Sequence, residues 1–427
     1  MRKIARLLKR FYRAASEAEI RAVLENAFSL STLQGVNYLL PLAILPYLVR
    51  VLGPEKFGLI AFAQAFTQFF FILTDYGFSV SATREISLCR EHKEKVSSVF
   101  SSVMTVKLLL SGLAFLALLA AVSFFPRFRQ EKLVYLFSFG TVLGNTLFPV
   151  WLFQGQEKMR HISALNIGAG IAFAAAMFIL VKGPADYLLV PLIHSCAFIT
   201  SGLAGLYLAF RHFGVRVRRT SYADIRRQAR SGWDIFISIV AINGYTASRV
   251  FCVGLLGNNT TAGYYAIAER IANVIQTFPL YSFSQAVFPR LSRIYARSRK
   301  RAFAIMEKIQ ETTTSTAALA LPVIFLAAPW LVKLACGRAY PQVIVSLRLL
   351  LLSVFYVNAN AFKVQFLLIW GRTDLYSRIH IAVALVGLPL IVLLTCYFSY
   401  LGAAFSTVIT EALIFILTFR ALKGWRK

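Results

Sequence analysis

Eight ionisable side chains fall inside stretches otherwise oily enough to cross a bilayer: Asp75, Lys107, Arg249, Glu269, Arg270, Arg348, Lys363 and Glu411. A charge at the centre of a membrane costs about 2.5–3.5 kcal/mol, so such groups face protein, water or a partner. Five are cations and three are acids, so a pathway lined by all of them would be net positive and would suit an anion. They have polar companions at helical spacing. Gln64, Gln68 and Asp75 share one face; Gln34 and Asn37 precede Pro41 on another. Glu269, Asn273 and Gln276 form a third stripe, and Tyr356, Asn360 and Lys363 a fourth, while Tyr245 sits one turn before Arg249. Amides bond hydroxyls, planar rings stack on sugar faces and arginine pairs with phosphate oxygens, so this set suits a ligand with sugars and phosphate. The anion-binding candidates are therefore Arg249, Arg270, Lys363, Lys107 and Arg348, and the coupling or gating candidates are Asp75, Glu269 and Glu411. The polar lining candidates are Gln34, Asn37, Gln64, Gln68, Tyr245, Asn273, Gln276, Tyr356 and Asn360. The competing reading is structural: interhelical ion pairs such as Arg249 with Glu269, or long side chains such as Arg348 snorkelling to headgroups from a span end.

Other chemistry finds little support. The five cysteines, Cys89, Cys196, Cys252, Cys336 and Cys396, have no pairing or metal-ligand spacing. The histidines His92, His161, His194, His212 and His380 do not cluster, and no Gly-rich Lys-Ser/Thr phosphate loop is present. A membrane enzyme would need a sizeable outer loop or clustered acids and histidines at one face, so no catalytic residue, metal or cofactor is expected.

The elements that must position these groups follow from composition. The 427 residues are 58% hydrophobic and 15% charged, with runs of about 20 apolar residues recurring from end to end. The expected fold is an all-α polytopic membrane protein with about twelve spans, near 29–50, 57–83, 97–124, 132–153, 162–181, 187–210, 232–256, 260–288, 310–329, 343–370, 379–398 and 400–419. The formal net charge of +28 is explained by topology. Basic residues crowd alternate loops, for example Arg216, Arg218 and Arg219, then Arg297, Arg299 and Lys300, while 257–259 and 399 have none. This bias puts both termini in the cytoplasm and accounts for the charge without nucleic acid. The segment 1–28 reads as a cytoplasmic amphipathic helix, 29–210 as an N-terminal lobe of six spans, 211–231 as a basic cytoplasmic linker and 232–427 as a second six-span lobe with a basic tail.

The halves echo one another. Leu52, Gly53, Gly58, Ala61 and Ala63 recur as Leu256, Gly257, Gly263, Ala266 and Ala268, and Trp151, Gly155 and Met159 recur as Leu367, Gly371 and Leu375. Parallel repeats of this kind place a substrate path between the lobes. Trp151 reads as an interfacial anchor, Pro41 and Pro46 as kinks, and Ser97, Ser98, Ser101 and Ser102 as a surface for close helix approach.

The stretches SLSTLQGVNYLLPLAILPYLVRVLGPEKFGLIAFAQAF, DYGFSVSATREIS and PVWLFQGQEKM resemble the polysaccharide (O-antigen) flippases of the multidrug/oligosaccharidyl-lipid/polysaccharide exporter superfamily. The match is dense over 26–170 and thinner beyond. The resemblance implies two six-helix lobes, a cationic central cavity and alternating access. It implies movement of undecaprenyl-diphosphate-linked oligosaccharide repeat units from the cytoplasmic to the periplasmic leaflet of the bacterial inner membrane. Proton or sodium antiport is the coupling it suggests, and a polysaccharide polymerase and chain-length machinery are the partners. Other lipid-linked cargoes, namely an exopolysaccharide or teichuronic unit or a peptidoglycan precursor, and drug or cation antiport are the alternatives within the same superfamily.

Overall fold

A computed structural model describes residues 17–423, except the side chains of 17–39, 41–42, 242, 278–286 and 288–290. Among the described residues every regular element is helical. The helices are α1 (Glu17–Asp75), α2 (Phe78–Cys89), α3 (Lys93–Phe124), α4 (Pro126–Arg129), α5 (Lys132–Leu147), α6 (Val150–Gly155) and α7 (Met159–Leu180). A short 3-10 turn at Pro184–Leu188 leads into α8 (Leu189–Arg211), followed by α9 (Tyr222–Leu256), α10 (Asn259–Arg297), α11 (Arg299–Cys336), α12 (Pro341–Asn358), α13 (Ala361–Ile369) and α14 (Thr373–Lys423). In hydrocarbon every backbone N–H and C=O must be met internally, which is why an apolar chain of this length resolves into helices.

The breaks fall at residues with a reason to break. Gly53, at φ 72°, divides α1 into two arms, whereas Pro41 and Pro46 stay inside helical backbone. Tyr76 and Gly77, at φ 47° and 78°, interrupt the second expected span, which therefore does not run unbroken to residue 83. Ser399, at φ 52°, turns α14 back on itself: a Cβ on Gly402 would meet Leu394, and one on Gly387 would meet Thr410 at 2.8 Å. That hairpin divides where spans 379–398 and 400–419 were expected to divide.

Eight helices of described residues are long and apolar enough to cross a membrane, or nine if Tyr222–Ala241 and Asn243–Leu256, bent by 47°, make one span. Spans 29–50 and 260–288 run through residues whose side chains are not described, and the α14 hairpin is one helix in this count. Segment 1–28 lies outside the described residues up to position 16; from Glu17 the chain is already helical and continuous with α1.

Two expectations about individual residues change. Trp151 is 1% exposed and packs on Phe100 at 5.7 Å between ring centroids, so it is a core residue and not an interfacial anchor. Ser97 and Ser101 receive the linker rather than a helix: their hydroxyls accept from the Arg216 N–H at 3.1 Å and the Arg218 N–H at 2.8 Å. Two alternate residues of this extended segment are thereby tied to one face of α3.

The echoes are also realised, one of them in a shifted register. A Cβ on Gly58 would collide with the Asn259 carbonyl and with Gly263, and one on Gly263 with the Pro54 carbonyl and Gly58. The crossing of α1 with α10 is thus reciprocal, and only glycine permits the backbones to approach so closely. In the second echo the matching helix ends are closed by Lys158 N–H to Phe153 O at 2.9 Å and Arg372 N–H to Leu367 O at 3.0 Å. Glu157 (φ 56°) therefore corresponds to Gly371 (φ 77°), two residues from the pairing the sequence suggested.

Candidate functional site

Two cavities lie side by side within the bundle. The first, of about 660 Å³, is walled by residues between 40 and 201 with one exception, Arg270. The second, of about 530 Å³, is walled by residues between 243 and 411 with one exception, Gln68, which lines both. Each half of the chain thus lends one side chain to the other's cavity. The two differ in chemistry. The first is mostly apolar, with phenylalanine rings from α1, α7 and α8 and Phe148 just after α5, and scattered amides and hydroxyls. The second is mostly polar, with Asn243, Thr246, Asn273, Gln276, Ser353 and Thr407 beside Arg249, Glu269 and Glu411.

Arg270 enters the first cavity from α10. Its Nη2 donates to Gln64 Oε1 at 2.7 Å, and its guanidinium lies 5.0 Å from the Phe57 ring centre. Gln64 is about three turns into the second arm of α1, so the Gly58–Gly263 crossing brings amide and guanidinium together. Among the described residues, no Asp or Glu lines this cavity. In the second cavity Arg249 donates to Glu411 at 3.1 Å and lies over the Tyr245 ring at 5.5 Å. Glu269 accepts from the Tyr265 hydroxyl at 3.3 Å, and Tyr265 also meets the Thr407 hydroxyl at 3.2 Å. The Arg249 partner is thus Glu411 on α14, not Glu269.

Residues 23–295 match the model of the family described as polysaccharide biosynthesis protein. The chain belongs to that family. Its relatives include a protein named "Putative O-antigen transporter" from Escherichia coli K12, 30% identical over 91% of this chain and 94% of its own length. A protein of the same name from Shigella dysenteriae is 28% identical over 93% of this chain and 100% of its own. Among solved structures, the lipid II flippase MurJ in an inward closed conformation aligns with a TM-score of 0.70, at 15% identity over 92% of this chain and 87% of that one. An inward-facing MATE family multidrug transporter of the MOP superfamily aligns at 0.67, with 15% identity over 91% and 95%. The chain has the MOP fold and is a multi-pass protein of the bacterial inner membrane.

In this member of the polysaccharide biosynthesis family the sequence-predicted groups are only partly gathered. Of the five candidate cations, Arg249 and Arg270 line the cavities and the other three do not. Lys107 is 2% exposed and donates to the Asn145 carbonyl at 3.2 Å, with Asp75 within electrostatic reach. Lys363 lies against the rings of Phe415 and Phe419 at 4.8 and 5.3 Å. Arg348 lies over Phe325 at 4.9 Å and donates to its carbonyl, on its own stretch of surface. With Glu269 and Glu411, the described charges at the cavity walls are two cations and two acids, not a cationic excess. Asp75 accepts from the Ser79 hydroxyl at 3.0 Å, across the Tyr76–Gly77 break.

Among the amides, Gln64, Gln68, Asn273 and Gln276 line cavities. Asn360 is buried and donates to Thr418 at 3.3 Å, Tyr356 packs on Phe415, and Tyr245 lies beneath Arg249. The Gln34 and Asn37 side chains lie outside those described. Residues not singled out beforehand complete the walls: Asn145, Asn166 and His194 in the first cavity, Asn243 and Thr407 in the second. They come from separate helices, and only the helix packing groups them. Arg127 is a further surprise. It donates to the Gly254 carbonyl and to Asn259 Oδ1, both at 2.7 Å, tying the short helix α4 to the junction of α9 and α10.

Proposed function

We propose that this protein is a flippase, not an enzyme, that moves undecaprenyl-diphosphate-linked oligosaccharide repeat units, O-antigen or another surface polysaccharide, from the cytoplasmic to the periplasmic leaflet by alternating access. The observation that carries the reading is the first cavity, whose described walls hold one charged group, Arg270, and no acid. A diphosphate crossing a low-dielectric slab needs a cationic partner, because an unpaired anion there is prohibitively costly. The names of the Escherichia and Shigella relatives support the cargo class, and the two halves meeting at the Gly58–Gly263 crossing fit two lobes that rock about a shared interface. Proton or sodium antiport through Asp75, Glu269 or Glu411 is the coupling we assign, with polysaccharide polymerase and chain-length machinery as downstream partners.

Deletion of the gene is expected to abolish surface polysaccharide and to accumulate lipid-linked intermediate in the membrane. Complementation with Arg270→Ala is expected to leave the block in place at wild-type protein levels, and Arg270→Lys to restore little, since an ammonium cannot reproduce bidentate contact with phosphate. Normal export by Arg270→Ala would overturn the reading. A second reading, cation or drug antiport, is favoured by Glu269 and Glu411 in the second cavity. It requires that deletion leave polysaccharide and intermediate unchanged while raising sensitivity to cationic compounds.

A further inference from the structure

We propose that Arg348 forms a phospholipid-phosphate site on the membrane-facing surface, outside both cavities, and draws one headgroup below the ordinary level of the bilayer surface. The proposal is independent of the flippase reading. Arg348 lies seven residues into α12, about 10 Å along the helix axis from Pro341. The α12 residues that line the second cavity are Leu350, Ser353 and Val354. They stand roughly 140–240° round the helix from Arg348, which therefore points away from that cavity. It shares its face with Val345 and Leu352, which are 43% and 49% exposed. The adjoining face of α11 is equally open, with Leu326 76% and Trp330 64% exposed. Both helices are long and apolar enough to cross a membrane, so this surface faces hydrocarbon.

A guanidinium in that position must be held in place and must be met by a counter-charge. What holds it is a helix defect. The Phe325 carbonyl would ordinarily accept from the N–H of residue 329, but that residue is Pro329 and has none. Arg348 Nε donates to that carbonyl at 3.3 Å, and the guanidinium lies 4.9 Å from the Phe325 ring centre. Lys107 serves the Asn145 carbonyl in the same way, four residues before Pro149. Trp330, the ring type that settles at headgroup level, is five residues nearer the α11–α12 turn than Phe325, or about 7 Å along the axis. The bond to Phe325 thus keeps Arg348 below that level instead of letting it extend to the surface. It uses one of five N–H groups. Among the described residues, no carboxylate pairs with Arg348 and its two terminal nitrogens donate to no protein atom.

A lipid phosphate supplies what is missing. A phosphodiester accepts two parallel N–H bonds from the fork, and its single negative charge balances one guanidinium. A diphosphate brings more charge than one arginine balances. Charges in hydrocarbon are met by local thinning that carries headgroups and water down to them. The bilayer is therefore expected to dip along α11 and α12 on the side of the 337–340 turn, the periplasmic side in the expected topology.

The test is native mass spectrometry of the full chain titrated with three probes: dioleoylphosphatidylglycerol, dioleoylglycerol, which has the same tails and no phosphate, and farnesyl diphosphate. Wild type is expected to hold its first phosphatidylglycerol more tightly than dioleoylglycerol. Arg348→Met is expected to lose about tenfold on phosphatidylglycerol, the scale of a charge-assisted hydrogen bond, and nothing on dioleoylglycerol. Arg348→Gln, which keeps an amide donor but no charge, is expected to lose as much. In phosphatidylglycerol nanodiscs, electron cryo-microscopy is expected to show a thinner lipid belt beside α11 and α12 in wild type than in Arg348→Met. Equal retention of phosphatidylglycerol by wild type and both folded variants would overturn the proposal, as would equal loss on dioleoylglycerol or a belt of unchanged thickness. Farnesyl diphosphate held more tightly than phosphatidylglycerol, and lost in Arg348→Met, would overturn the phospholipid assignment in favour of a polyprenyl diphosphate. A dimer that Arg348→Met abolishes would overturn it in favour of a second copy of the chain.

Discussion

Lys107 shows how a charge in a membrane helix can serve the backbone. A buried lysine without an acid partner looks like a transport residue, yet its ammonium completes a bond that Pro149 cannot make. Lys107→Met should therefore destabilise the protein by about 1–3 kcal/mol, the cost of an orphaned carbonyl, read as a lower melting temperature in detergent. Pro149→Ala in the same chain should recover part of the loss, because alanine at that position carries an N–H. The Arg249–Glu411 pair is the second case. Its side chains are 12% and 15% exposed, so removing one partner strands the other. Arg249→Met alone should cost about 3–5 kcal/mol, and Arg249→Met with Glu411→Gln much less. Equal losses in the single and double variants would mean that water already solvates the pair.

Among the elements, the decisive positions are those where the backbone departs from the helix or where two backbones touch. Gly58→Ala puts a methyl group into the Asn259 carbonyl, so α1 and α10 must separate. A sharp fall in melting temperature is expected, together with faster labelling of a cysteine introduced at Asn259. Ser399 is the opposite case. Its φ of 52° with ψ of −133° is a conformation glycine adopts freely and serine does not. Ser399→Gly should raise stability, by up to about 1–3 kcal/mol if all the strain is released. No change in melting temperature would show that the hairpin turn relaxes in the membrane.

For the whole molecule the testable quantity is topology. Reporter fusions at Arg218 and Arg297 should read cytoplasmic, and fusions at Asn258 and Tyr400 periplasmic. The Arg216–Arg218 segment pinned to α3 and the tight turns at Gly257 and Ser399 are consistent with basic, longer connections on one face and short ones on the other. A periplasmic signal at Arg218 would overturn the assignment of sides and, with it, the direction proposed for transport. Because the cavities are built one from each half and share Gln68, loss of one half's packing should disturb both.

The sequence by itself determined the solvent, the element type and the family. Long apolar runs demand helices, and the motifs over 26–170 carry the resemblance. It also picked out residues that do line the cavities, among them Arg249, Arg270, Glu269, Gln64 and Asn273, because polar groups at helical spacing share a face whatever that face meets. What it could not say is which face meets water and which meets another helix. Lys107, Lys363, Arg348 and Asn360 look the same along the chain as Arg270, and the difference lies in neighbours on other helices. The tertiary structure decided that Arg249 pairs with Glu411, that Trp151 is core, and that one cavity is oily with a single cation while the other is polar with one cation and two acids. The physical reason is packing. Helical periodicity fixes directions within one element, whereas the partner in each direction is set by the glycine crossings and broken helices that seat the elements against each other.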